Sequence, residues 1–289
     1  MTRPLLDPRT TPLRDGIASQ SLEGLVRAEV YLEPTVRVCA AAAASVHREP
    51  SLASEMLDEL LFGEIFEVIE EDAGGFVWGQ SRRDGYLGFV EVSALGGPPP
   101  EPTHRVAALR TYAFADASIK SRALNLYSMN ALVAVETDDG RLSKVTGAGW
   151  ITSAHLAPMG VFAQDAAAVA EQFLGAPYLW GGRQSLGLDC SGLIQAALHA
   201  CGQACPRDTD QQEGLGTAVA QTEFGRGDLV FWKGHVAMGL DEAGLEGGRI
   251  VHASGHHMAV VIEPLETAIR RIEAAGSGAP TSFRRLPRV

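Results

Sequence analysis

Cys190, His235 and His252 are the residues of this 289-residue chain whose types and order suit covalent acyl chemistry. In Asp189-Cys190-Ser191-Gly192-Leu193-Ile194-Gln195-Ala196-Ala197-Leu198, the apolar residues Leu193, Ile194, Ala197 and Leu198 fall on one helical face. The spacing predicts a helix that begins around Cys190, with Asp189 as its cap. Unpaired N–H groups and the positive end of the helix dipole are expected to stabilise a thiolate in that first turn and so lower its pKa. Acyl transfer through sulfur also needs a proton donor for the leaving amine and a base for the attacking water, and histidine serves both. His235 lies in Gly234-His235-Val236-Ala237-Met238-Gly239 and His252 in Ile250-Val251-His252-Ala253-Ser254, both expected strands. Neighbouring antiparallel strands set one imidazole against another, so His235 is expected to face Cys190 while His252 orients its far nitrogen. His256 and His257 compete for the orienting role, but a Gly-flanked turn ordinarily turns its histidines to solvent. Trp180 and Trp232 are expected to fill the core beneath the site rather than line it.

The elements that position these residues read as an α+β domain. A helical run, Asp165–Leu174, stopped by Gly175 and Pro177, precedes β-like runs at 228–232, 235–240 and 249–253. Before it, short β-like runs at 28–32, 65–69, 76–79 and 86–90 are punctuated by turn signals such as Asp84-Gly85, which suits a small all-β barrel. A second set, 131–136 and 149–151 around Asp138-Asp139-Gly140, repeats the pattern. Gly88-Phe89-Val90 with Leu95 matches Gly149-Trp150-Ile151 with Leu156 in type and spacing, which points to two copies of one barrel. The proline run between them acts as a stiff linker. The expected organisation is an arm at 1–24, a first barrel at 25–97, a linker at 98–102, a second barrel at 103–158 and an α+β domain at 159–289.

Thirty-five acidic against 24 basic residues give a formal charge of -11, so a phosphate backbone would be repelled and nucleic acid is not an expected partner. No apolar stretch approaches the roughly 18 residues needed to span a bilayer. Met1–Arg9 has no apolar segment of a secretory signal, and a cytoplasmic location is expected. The four cysteines are too few for a disulfide framework, and Cys201 and Cys205 lack a second pair to complete a zinc site, so neither metal nor other cofactor is expected.

Residues 161–265 resemble the NlpC/P60 family of papain-like cysteine peptidases, which cleave bacterial cell-wall peptides. The resemblance rests on Tyr178-Leu179-Trp180-Gly181-Gly182, Asp189-Cys190-Ser191-Gly192, Arg226-Gly227-Asp228-Leu229, Gly234-His235-Val236-Ala237 and His252-Ala253-Ser254-Gly255, in the family's order. It implies Cys190 as nucleophile, His235 as general base, His252 as third polar residue and Tyr178 at the oxyanion, where the Cys190 N–H is the natural second donor. The barrels resemble bacterial SH3-like (SH3b) domains, and two of them ahead of such a domain is the layout of γ-D-glutamyl-L-diamino acid endopeptidases. By that analogy the substrate is a free murein peptide, L-Ala-γ-D-Glu-diamino acid, and its free amine is held by Asp189 and Ser191 together with Glu55 and Tyr86 of the first barrel. Arg207-Asp208-Thr209 resembles a family segment near the cleft, without an assigned role. A wall-binding SH3b protein with a vestigial peptidase domain, and an acyltransferase using the same Cys-His chemistry, are the alternative readings. The sequence leaves open the diamino acid and the oligomeric state.

Overall fold

The computed structural model describes residues 6–72, 74–98, 100–242 and 247–287. Met1–Leu5 of the expected arm, Pro99 of the expected linker and Ala243–Glu246, Arg288 and Val289 of the expected α+β domain lie outside the described residues. The chain forms two compact units, one comprising 1–106, 111–127 and 131–156, the other 107–110, 128–130 and 157–289.

In the first unit, a seven-stranded antiparallel sheet runs in the order 95–96, 35–39, 65–71, 76–81, 87–91, 43–47 and 56–61. Its alternate residues Val46, Leu60, Phe66, Val68, Val77 and Val90 enclose a barrel core. The sequence reading missed four of these strands, Thr35–Cys39, Ala43–His47, Met56–Leu61 and Leu95–Gly96. The run read as the barrel's first strand is instead Val30–Leu32, paired in parallel with Ile17–Ser19, which in turn pairs with Leu13–Arg14. This small sheet takes two strands from the expected arm and one from the expected first barrel, and it packs on the barrel: Ile17 and Leu32 cover Trp78 and Phe89, and Arg14 reaches Glu70 at 3.0 Å.

The second barrel is a five-stranded sheet ordered 123–128, 110–114, 149–152, 142–145 and 135–138, with a three-stranded sheet formed by 132–133, 104–106 and 156–158. The repeat seen in the sequence is one local module used twice. Leu87–Glu91 and Gly149–Thr152 each lead through a 3₁₀ turn, Val92–Ala94 and Ser153–His155, into the strands at Leu95–Gly96 and Leu156–Pro158. The linker does not hold the barrels apart. Phe62 of the first barrel packs in the second barrel's core against Tyr127, with ring centroids 4.7 Å apart. A Cβ on the adjoining Gly63 would lie 2.1 Å from the carbonyl oxygen of Leu132, so only glycine permits this approach.

The second unit holds a six-stranded antiparallel sheet. Its main strands are β1 (Leu229–Trp232), β2 (His235–Gly239), β3 (Arg249–Ser254), β4 (Ala259–Pro264) and β5 (Ser282–Arg285), with Thr217–Ala218 on the edge beside β5 and then β1 to β4 in order. Period-two alternation separates two faces. Leu229, Phe231, Val236, Met238, Val251 and Ala253 pack with Leu193, Ile194 and Ala197 of α2 (Cys190–Ala200). Val230, Trp232, Ala237 and Ile250 pack with Leu265, Ala268 and Ile272 of α4 (Leu265–Ala274). All eleven residues of α2 are buried, so it is a central helix rather than the one-faced helix expected.

Helix is scarcer than expected. α1 spans only Ala166–Glu171 and α3 only Thr209–Gln212. The run to Leu174 breaks into turns ahead of Gly175, whose φ is +80°. The order is not simply helices before sheet, because α4 follows β4. Its apolar spacing, Leu265, Ala268, Ile269 and Ile272, was the available signal.

Candidate active site

The site begins at the N-terminus of α2. Asp189 is its N-cap, extended at φ -93° and ψ -176°, and Oδ1 accepts from the Gly192 N–H at 2.8 Å. Gly192 lets the first turn press on the Gly181-Gly182 loop, since a Cβ there would sit 2.2 Å from the Gly182 carbonyl oxygen. Asp189 Oδ2 accepts from the Gly181 N–H at 2.9 Å, so one carboxylate ties the loop and the helix together.

Arg207, 1 % exposed, supplies the counter-charge. Its Nη1 donates to Asp189 Oδ1 at 3.0 Å and to Ser191 Oγ at 2.8 Å, and its Nη2 to Asp189 Oδ2 at 2.5 Å. Ser191 Oγ in turn donates to Asp189 Oδ1 at 3.1 Å. An ammonium held by Asp189 and Ser191, as expected, would share them with Arg207. Both side chains are engaged by protein donors, so the site offers a paired carboxylate and not an isolated one.

Cys190 is the first residue of α2 and 5 % exposed. Its Sγ lies 3.8 Å from Thr209 Oγ1 at the start of α3 and accepts from the Val236 N–H. The second contact brings the backbone at the opening of β2 to the sulfur. Burial, then the charge of Asp189, pushes the thiol up to about 11, against the lowering by Thr209, the Val236 N–H and Arg207. The expected lowering at the helix start is thus reversed, because complete desolvation outweighs the terminal dipole. At neutral pH the sulfur rests as a thiol.

His235 opens β2, and its Nε2 lies 2.7 Å from His252 Nδ1. The register Met238↔Val251 and Gly239↔Ile250, continued, places His252 opposite Ala237, diagonal to His235 on the same face. Burial, then the neighbouring His252 and Arg271, lowers His235 to about 3, so the imidazole is neutral at pH 7. With Nε2 turned to His252, Nδ1 is the ring nitrogen outside that contact. His252 is fully buried, and its Nε2 lies 2.8 Å from Glu263 Oε1 on β4. Glu263 also accepts from Arg271 Nη2 of α4. Burial alone would raise the Glu263 carboxyl, yet hydrogen bonds from His252 and Arg271 hold it down to about 2.

Tyr178 packs beside the loop after β3: its N–H donates to the Met258 carbonyl at 3.0 Å. A Cβ on Gly255 would meet its ring at 3.8 Å. Burial, then the charges of Cys190 and Asp189, raises the phenol above its ordinary value, which keeps it a proton donor. Trp232 is 1 % exposed and fills the core as expected, whereas Trp180 is 58 % exposed. His256 and His257 meet edge to face in the exposed turn, and His257 Nδ1 is 3.0 Å from Ser254 Oγ. Glu55 and Tyr86 belong to the first unit, where Glu55 accepts from Arg48 at 2.7 Å and the Tyr86 N–H donates to Asp84 Oδ1 at 3.1 Å.

Sequence reasoning missed Glu263 and Arg271 and left Arg207 and Thr209 without a role. The Arg226-Gly227-Asp228-Leu229 motif proves to be an anchor. Arg226 bonds Asp165 and Glu171 around α1, and Asp228 accepts from Arg285 of β5 at 2.9 and 2.7 Å. Among the described residues, no group of three or more His, Cys, Asp or Glu side chains is placed to hold a metal ion, and no helix is long and apolar enough to cross a membrane. All four cysteines are free thiols.

Comparison with known proteins agrees with this geometry. Residues 175–273 match the NlpC/P60 family, and residues 46–95 match the bacterial dipeptidyl-peptidase SH3 domain. The chain is 30 % identical over 184 residues to the γ-D-glutamyl-L-lysine dipeptidyl-peptidase of Bacillus subtilis, covering 60 % of this chain and 62 % of that protein. It is 28 % identical over 237 residues to dipeptidyl-peptidase 6 of Lysinibacillus sphaericus, covering 73 % of this chain and 84 % of the relative. The crystal structure of an NlpC/P60 family protein from Bacillus cereus superposes with a TM-score of 0.72 at 20 % identity, over 88 % of this chain and 100 % of that one, and so shares the fold.

Proposed function

We propose that this chain, which carries an NlpC/P60 domain behind a bacterial dipeptidyl-peptidase SH3 domain, is a cysteine peptidase that hydrolyses the γ-D-Glu to diamino acid bond of free murein peptides with an N-terminal L-Ala. One observation carries the reading: the Val236 N–H on Cys190 Sγ at a helix start, with His235 next in the chain and backed by His252 at 2.7 Å. The names of the two relatives support the substrate class.

In this reading, Cys190 Sγ attacks the γ-carbonyl carbon while its proton passes to His235 Nδ1. Tyr178 Oη and the Cys190 N–H donate to the developing oxyanion. The intermediate collapses as the C–N bond breaks and the imidazolium returns its proton to the leaving amine. Water then attacks the thioester with His235 as base, the C–S bond breaks, and the sulfur recovers a proton. A neutral thiol beside a neutral imidazole suits this concerted route, in which the ion pair forms only as substrate displaces water. Glu55 and Tyr86 are proposed to recognise the free amine, and the setting is proposed to be cytoplasmic recycling of wall peptides.

Incubation with L-Ala-γ-D-Glu-meso-diaminopimelate, read by mass spectrometry, tests the proposal. Release of L-Ala-γ-D-Glu by the native chain, its loss in Cys190→Ala and its loss on acetylating the substrate amine are expected. Turnover by Cys190→Ala, or none by the native chain, would refute it.

A further inference from the structure

We propose that Glu263, clamped by Arg271, is a positioning residue that sets the tautomers of His252 and His235 and so leaves His235 Nδ1 free to accept a proton. The inference rests on His235 acting as the base in the peptidase reading.

The geometry leaves one assignment. His235, His252 and Glu263 lie diagonally across three adjacent strands on the face covered by α4: Ile250 pairs with Glu263 and His252 with Val261, so Glu263 stands one diagonal step from His252. An ionised carboxylate only accepts hydrogen bonds, and the Arg271 guanidinium on the same oxygen keeps Glu263 ionised. His252 Nε2, 2.8 Å from Glu263 Oε1, therefore carries the proton. A neutral imidazole has one N–H, so His252 Nδ1 is an acceptor. Its partner at 2.7 Å, His235 Nε2, then has to be the donor. His235 Nδ1 is left with a lone pair, the form that can take the Cys190 proton. A negative charge two side chains away thus fixes which face of the catalytic imidazole is basic.

The same chain of hydrogen bonds shows how the arrangement fails. Protonation of His252 would make Nδ1 a donor, force His235 Nε2 to accept and place a proton on Nδ1, where the base function is lost. His252 is faced by His235 from β2, Glu263 from β4, Arg271 from α4 and His257 from the turn after β3. Burial lowers its pKa against the opposing pull of Glu263, which keeps it neutral at pH 7. In Glu263→Gln the side-chain amide can present its NH₂ to His252, which favours the opposite tautomer in both rings.

The test reads ring protonation directly, by two-bond nitrogen–proton spectra of the full chain labelled with ¹⁵N at histidine. In the native protein at pH 7 both His235 and His252 are expected as the Nε2–H form. Glu263→Gln is expected to introduce the Nδ1–H form, to lower kcat about 10- to 100-fold with KM changed less than twofold, and to move the acid limb of the kcat profile. An Nδ1–H form of either histidine in the native protein would overturn the proposal, whether or not the variant folds. So would a folded Glu263→Gln with native tautomers and native kcat. A native chain that shows both expected tautomers yet cleaves no murein peptide would refute the peptidase reading and leave the tautomer assignment standing. An active chain with the reverse tautomers would do the opposite.

Discussion

Replacing Arg207 with methionine removes its hydrogen bonds to Asp189 and Ser191 and the counter-charge of a buried carboxylate while keeping most of the side-chain volume. Asp189 would retain the Gly181 and Gly192 N–H groups and the Ser191 hydroxyl, but its charge would have no partner. Both members of the pair are nearly inaccessible, at 1 % and 7 % side-chain exposure, so water screens little of the loss. Breaking such a pair on one side costs about 3–5 kcal/mol. At roughly 2–4 °C per kcal/mol, the midpoint of thermal unfolding is expected to fall by about 6–20 °C. Asp189→Asn should be similarly costly, because it strands the guanidinium. The double variant should be less destabilised than the sum of the singles by at least about 1 kcal/mol. Urea denaturation of the four proteins checks this cycle. An Arg207→Met loss below about 1 kcal/mol, or additive singles, would show that the pair is not what holds the loop to the helix.

The raised thiol of Cys190 makes a pH prediction. A thiol pushed up to about 11 is ionised in about one molecule in ten thousand at pH 7, against about one in a hundred for a thiol at 9.0. Iodoacetamide alkylation of Cys190 should therefore rise tenfold per pH unit through the neutral range; a plateau below pH 8 would contradict it. Gly192→Ala would place a Cβ 2.2 Å from the Gly182 carbonyl oxygen, so the loop or the helix has to shift. A loss of about 1–3 kcal/mol in urea denaturation, with reduced peptide cleavage, is expected, and an unperturbed variant would argue against close approach there.

The start of α2 and the nucleophile in its first turn were legible because capping and helix patterning are local: Asp189, Cys190 and the apolar residues after them lie within a few residues of one another. The histidines were legible for a related reason, since residue type and strand alternation place them on one sheet. What neighbouring residues cannot encode is which distant group completes each of them. Glu263 meets His252 only because the β3–β4 register brings them diagonal to each other, and Arg271 reaches that carboxylate only because α4 packs on that face. Arg207 becomes the partner of Asp189 only once both are taken out of water, where a buried charge demands a counter-ion. The thiol's ionisation was misread for the same reason. A helix start is visible in the sequence, but the desolvation that outweighs its dipole is created by strands packed over it. Local order thus determined the chemistry available to this protein, and burial, a property of the assembled fold, decided the charge state in which each group waits.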